Sequence, residues 1–224
     1  MLPFFTPDAR LTLKVQTLMK FSHASFTLSA ARLAGCPSDS LAEVAFAGRS
    51  NAGKSSAINA LTGQSKLARI SKTPGRTQLI NFFSVADNHY LVDLPGYGFA
   101  KVPLKVKNQW QHELEQYLRK RQALSGLVLL SDIRHPIKEF DRTMIAWATQ
   151  SELPVHVLLT KADKLKRGAA NITLLKVRQE LEPFPDATVQ LFSIQQQQAI
   201  EELRRKVSDW LTVADEPAGL PTTD

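Results

Sequence analysis

The segment Gly48-Arg49-Ser50-Asn51-Ala52-Gly53-Lys54-Ser55 has the spacing G-x-x-x-x-G-K-S, and those residue types at those positions suit the holding of phosphate. The glycines let successive backbone N–H groups turn inward around phosphate oxygens. A helix that begins where the loop ends points the positive end of its dipole at the same anion. Lys54 would reach the β- and γ-phosphates of a nucleotide, and the Ser55 hydroxyl would ligate Mg2+. The flanking sequence has the form this task requires: Leu41 to Ala47 is an apolar, strand-like run, and Ser55 to Leu61 is compatible with a helix. The plainer alternative, a glycine-rich turn with a solvated lysine, leaves that context unexplained.

Two further segments follow apolar runs. Val92-Asp93-Leu94-Pro95-Gly96 contains D-x-x-G. A carboxylate at the C-terminal end of a strand sits beside a phosphate loop and can hold Mg2+ through water. Gly96 there would let a backbone N–H approach the γ-phosphate, with Leu94 and Pro95 lining the same turn. Thr160-Lys161-Ala162-Asp163 ends another apolar run with T-K-x-D. Its aspartate can accept hydrogen bonds from the ring N–H and the exocyclic amine of guanine, while the lysine stem packs on the base. Adenine lacks that donor pattern and would leave the carboxylate unpaired. Each short motif is weak alone; their order, each after a strand, points to a guanine-nucleotide-binding domain.

On these residues the chain resembles a bacterial translation-factor-type GTPase of the TrmE-Era-like class, most closely the EngB (YihA/YsxC) family. The resemblance runs from about Leu41 to Leu211. It rests on Ala47 to Ser56, on Ser71-Lys72-Thr73-Pro74-Gly75-Arg76-Thr77-Gln78, on Asp93 to Gly98, and on Asp132-Ile133-Arg134-His135-Pro136. It implies a three-layer α/β phosphate-loop NTPase fold: a mostly parallel six-stranded sheet with one antiparallel strand and helices on both faces. It also implies GTP and GDP as ligands, a role in maturation of the large (50S) ribosomal subunit, and cell-division and septation defects on loss. The expected partner is ribosomal RNA or a pre-50S particle, with neither DNA nor membrane, and the protein is expected to be a monomer.

Three residues compete to complete the Mg2+ shell from the first mobile loop: Ser71, Thr73 and Thr77. The resemblance selects Thr77 and places Gly75, Arg76, Gln78 and Leu79 beside the phosphates. The last guanine contact is expected at Phe192-Ser193-Ile194, after the final strand; Ile194 departs from the usual Ser-Ala or Ser-Ser. Asn51 has two readings, an oxygen that holds K+ beside the phosphates or a residue that supports the turn. Tyr97 stands where many signalling GTPases carry a water-orienting glutamine. No catalytic residue can be assigned, so slow hydrolysis, completed by a partner, is expected. Two competing readings remain. A phosphate-loop kinase or ATPase would leave T-K-x-D without a purpose, and an RNA-binding or cell-division scaffold with weak GTPase activity would have no need of intact Lys54, Ser55, Asp93 and Asp163.

The elements that must position these residues are readable from periodicity. Apolar runs at Leu79 to Val85 and His89 to Val92, separated by Ala86-Asp87-Asn88, predict one antiparallel pair. Leu127 to Ser131, Val155 to Thr160 and Thr188 to Phe192 predict strands; helical spacing appears around Trp110 to Leu118, Phe140 to Ala148, Asn171 to Leu181 and Ile200 to Leu211. The three tryptophans are expected as core anchors. Residues 1–40 read as an N-terminal extension, 41–213 as the nucleotide-binding domain, and 214–224 as a disordered acidic tail. One cysteine excludes an internal disulfide, and no apolar run approaches bilayer length, so a cytoplasmic protein is expected. The formal net charge of +7 favours polyanionic partners. Basic residues gather at 66–76, at 101–107 and at Arg119-Lys120-Arg121, the first two bordering the loops expected to respond to nucleotide.

Overall fold

The computed structural model describes residues 19–68, 79–98 and 104–213. Its seven strands are β1 (Ser25–Ala30), β2 (Ala42–Gly48), β3 (Ile80–Ala86), β4 (His89–Asp93), β5 (Leu124–Asp132), β6 (Val155–Thr160) and β7 (Ala187–Leu191). They form one sheet in the order β1-β3-β4-β2-β5-β6-β7. The helices are α1 (Lys54–Thr62), α2 (Leu104–Lys120), α3 (Glu139–Gln150), α4 (Arg167–Leu181) and α5 (Gln197–Val213). None among the described residues is long and apolar enough to cross a membrane.

Strand alternation divides the core. Along β2, Val44 and Phe46 face one side, where they pack with Ala57, Ile58 and Leu61 of α1 and with Leu203, Val207 and Leu211 of α5. Ala45 and Ala47 face the other, with Leu114 and Tyr117 of α2, Met144 and Ile145 of α3 and Val177 of α4. A strand covered on both faces reads as a continuous apolar run, which is why β2, β5 and β6 are legible in the sequence. Arg204 of α5 braces the end of α1, its Nε donating to the Leu61 carbonyl at 2.7 Å.

The sheet has one strand more than the sequence pattern indicates. Ser25–Ala30, within the expected N-terminal extension, pairs antiparallel with β3, so the described sheet holds two antiparallel pairs. β3 is nevertheless the one strand that runs against the others, as expected. β1 is an edge strand whose side chains are mostly exposed, and so it carries no apolar alternation. The tryptophans are half-buried and packed against the core. Trp110 and Trp147 both meet Phe140, and Trp210 lies over β5, where a Cβ on Gly126 would fall 2.2 Å from the indole.

Two clusters of buried polar groups are paired. Glu43, fully buried on β2, receives the Arg121 guanidinium and the Tyr117 hydroxyl (2.6 Å), and Arg121 also donates to the Pro37 carbonyl at 2.5 Å. Between β6 and β7, His156 Nε2 donates to Gln190 Oε1 at 2.8 Å while Nδ1 lies 2.7 Å from Thr188 Oγ1. Burial, reinforced by the Lys206 charge, pushes the His156 pKa down to about 4. The unfolded ring titrates near 6.5, so between those values the unfolded chain binds more protons. The stability held by the neutral ring is therefore complete above about pH 6.5 and is lost as pH falls toward about 4. Urea unfolding of the native protein should lose about 3 kcal/mol more than that of His156→Gln between pH 7 and pH 4. Equal losses would clear His156 of this role.

Candidate functional site

The loop that follows β2 is shaped from below and from both sides. Gly48 is pressed against β5: a Cβ there would lie 2.8 Å from the Leu130 carbonyl oxygen. Asn51 (φ 64°) and Gly53 (φ 99°) take left-handed backbone and bring the chain round to α1. Gly53 caps α1 without a side-chain hydrogen bond, which leaves the first-turn N–H groups directed at the loop's mouth. Four contacts hold the loop. Ser50 N donates to the Tyr97 carbonyl (2.7 Å) and Tyr97 N to the Gly48 carbonyl (3.4 Å). Thr160 Oγ1 donates to the Ala52 carbonyl (2.6 Å), and Lys161 Nζ to the Asn51 carbonyl (2.8 Å).

Asp93 ends β4 in register with Phe46 of β2, and its carboxylate forms an ion pair with the Lys54 ammonium. Leu94 N continues the pairing to the Phe46 carbonyl at 3.0 Å. Gly96 lies beside the loop, with a hypothetical Cβ 3.5 Å from Ser50 Cα. The lysine, the strand-terminal carboxylate and the first turn of α1, which carries Ser55, thus meet at one mouth. That donor set suits a phosphate chain with a hard divalent cation such as Mg2+.

Tyr97 turns away from this mouth. Its ring is buried against Phe140 (centroids 4.7 Å apart) and Trp110 (6.0 Å), and its hydroxyl donates to Asp141 Oδ1. Burial first, then the neighbouring Asp141 carboxylate, pushes its pKa well above the usual tyrosine value. Asp141 also accepts from Lys138 N at 2.8 Å and so caps α3. Gly98 (φ 81°) follows, with Arg49 lying across it.

The T-K-x-D segment is fixed to the sheet and to the following loop. Phe192 N donates to the Leu159 carbonyl (2.9 Å) and Ala162 N to the Phe192 carbonyl (3.2 Å). Ser193 Oγ donates to Asp163 Oδ1 at 2.8 Å, and Lys164 lies 3.1 Å from Oδ2. The Ser193 hydrogen bond, with help from Lys164, holds the Asp163 carboxyl below the usual range, so it is an acceptor at neutral pH. Ile194 points its side chain to solvent, which accounts for the tolerance of a large residue where Ala or Ser is usual.

The sequence reading placed Asp132 in a segment that carries the resemblance but gave it no role at the site. It accepts from Lys161 Nζ at 2.9 Å and from Arg134 Nε and Nη2 at 2.9 and 2.7 Å. Arg134, then Lys161, hold its carboxyl well below the usual range. The available signal was an aspartate ending an apolar strand, the same pattern that singled out Asp93. Asn51 is accounted for by the turn it makes, and its geometry lends no support to K+. Gly75, Arg76, Thr77 and Gln78, the alternatives Ser71 and Thr73, and the basic stretches at 69–76 and 101–103 lie outside the described residues, as does the expected tail at 214–224. Leu79 is described, exposed at the entry to β3.

Comparison with known proteins agrees with this geometry. A family profile described as "50S ribosome-binding GTPase" matches residues 43–161, more than half of the chain. A crystal structure of a probable GTP-binding protein engB superposes with a TM-score of 0.62 and 26% identity over 77% of this chain and 100% of its own. Elongation factor SelB from Methanococcus maripaludis, in complex with the GTP analogue GPPNHP, shares the fold (TM-score 0.55, 14% identity, 81% of this chain and 36% of that one). So does a mutant of NFeoB from S. thermophilus bound to GMPPNP (TM-score 0.55, 22% identity, 82% and 67%). The loop after β2, the carboxylate ending β4 and the T-K-x-D segment after β6 sit within a fold shared with nucleotide-bound relatives, and the chain belongs to the family of 50S ribosome-binding GTPases.

Proposed function

We propose that this GTPase is a nucleotide-operated switch that binds the large ribosomal subunit or its precursor during assembly, and that normal cell division and septation depend on it. The observation that carries the reading is the mechanical tie between the two halves of the site. Thr160 and Lys161, on either side of the β6 terminus, hold the phosphate loop by its carbonyls, and Asp163 is oriented two residues on. In this reading Gly48 to Ser55 and Asp93 to Gly96 surround the phosphates, with Gly75 to Leu79 completing the enclosure. Thr160 to Asp163 and Phe192 to Ile194 read guanine. Ser55 and Thr77 would hold Mg2+, with Asp93 acting through water. The ion supplies positive charge to the phosphate oxygens when bound.

Slow intrinsic hydrolysis is supported by Tyr97, whose hydroxyl is committed to Asp141 and whose ring is packed against Phe140. No side chain at that position orients water, so a partner is expected to complete the site. The family description names the 50S subunit, and the formal charge of +7 suits an RNA-rich partner. A cytoplasmic location accords with such a partner.

Calorimetry should give GDP and GTP affinities at least ~1,000-fold above those for ADP and ATP, because Asp163 offers acceptors that adenine cannot satisfy. Asp163→Asn should prefer xanthine to guanine nucleotides, and Lys54→Ala should weaken GDP binding by at least ~100-fold. Comparable ATP and GTP affinities would end the guanine assignment.

Tyr97→Phe separates structure from catalysis. The hydroxyl is a buried donor to a buried carboxylate, so its loss should lower unfolding stability by about 1–3 kcal/mol. GTP turnover should stay within about twofold of native; a loss of tenfold or more would place Tyr97 in the catalytic step.

Cell extract should be sedimented with GDP or with a non-hydrolysable GTP analogue. The protein should follow large-subunit particles with the analogue and be released with GDP. Equal binding in both states would replace the switch by a scaffold.

A further inference from the structure

Helix α4 turns Ala170, Val177 and Leu181 inward, and at about 100° per residue its opposite side is centred on Ile172 and Leu175. Those two aliphatic side chains are 57% and 61% exposed, three residues apart on one face. Exposed cations surround them, Lys176 on one flank and Arg167 and Arg178 on the other, with Lys166 in the turn that leads in. From Lys164 to Arg178 the sequence has five basic residues and no acidic one. Lys164 is engaged by Asp163, and the next acid along the helix, Glu180, by Arg142 of α3. Among the described residues no ion pair involves Lys166, Arg167, Lys176 or Arg178.

The chemistry of this face selects its occupant. A solvated basic helix needs no large aliphatics at its centre, and exposed ones are disfavoured by the water they order. A second copy of this chain, docked face to face, would set the four cations against the same four. A chain of phosphates satisfies the cations, and its riboses and bases offer apolar faces to Ile172 and Leu175. We propose that the exposed face of α4 docks RNA, with Lys166, Arg167, Lys176 and Arg178 on phosphates and Ile172 and Leu175 against ribose or base.

The proposal rests on the large-subunit reading and adds a second contact to it. The helix is seated on β7 and braced to α3, and its face is built without the segments expected to sense the γ-phosphate. Its share of binding is therefore the same with GDP and with a GTP analogue.

The test compares the full-length protein with a variant in which Lys166, Arg167, Lys176 and Arg178 are all replaced by Gln, and with Ile172→Ser/Leu175→Ser. Binding to purified large subunits and to their extracted RNA is followed across a salt series, alongside GDP affinity. The four-fold variant should bind about 100-fold more weakly at low salt, with a salt slope shallower by about three units. Its GDP affinity should stay within about twofold of native. The aliphatic variant should bind about tenfold more weakly with the slope unchanged. Failure of the native protein to bind large subunits at all would remove the parent reading. Native binding with variants of equal affinity and slope would overturn the α4 proposal alone. So would loss of affinity for anionic phospholipid vesicles only, which would assign the face to a membrane surface.

Discussion

The constraint on which the site depends is that the phosphate loop cannot hold its own shape. Its glycines and the left-handed Asn51 provide the turn, but a chain with that freedom has many alternatives. The structure removes them by fastening consecutive loop residues to different strands. Ser50 is tied to the β4 exit through Tyr97, and Asn51 and Ala52 to the β6 exit through Lys161 and Thr160. Each bond is modest, on the order of 1 kcal/mol. Together they turn the Asn51 and Ala52 carbonyls into the protein and commit the Ser50 N–H to Tyr97. The parallel order of β4, β2, β5 and β6 brings those strand ends together.

Most of this was legible in the sequence, for a physical reason. Central strands buried on both faces give unbroken apolar runs, and the residues that end them stand out by contrast; Asp93, Thr160 and Asp163 were found in that way. β1 was not legible because an edge strand with exposed side chains obeys no hydrophobic alternation. Asp132 was passed over because its value lies in a partner, Lys161, that comes from another strand. The burial of Tyr97 was equally hidden. It depends on Phe140 and Asp141 of α3, and no local pattern announces an aromatic pocket assembled from two distant segments.

Tyr97 also alters what the D-x-x-G turn can do. Where a glutamine would remain free to meet water, this residue is an anchor, holding the backbone that in turn holds Ser50. Its hydroxyl ends on Asp141, which caps α3, so the phosphate loop and the N-terminus of α3 share a support. The arrangement makes the cradle stiff.

The position of β2 in the middle of the sheet bears on how the chain reaches this structure during synthesis. Val44 pairs on one side with Leu91 and on the other with Gly126, so the nucleotide loop is made long before its second supporting strand exists. At roughly 5–20 residues per second, β5 follows β2 on the order of ten seconds later, and β6 later still. Until then a strand buried along its whole length has an open edge, and non-local parallel pairing is slow to close it. The nascent domain is thus exposed to misassembly for an interval set by its topology, and chaperone dependence should be concentrated before residue 160 is synthesised.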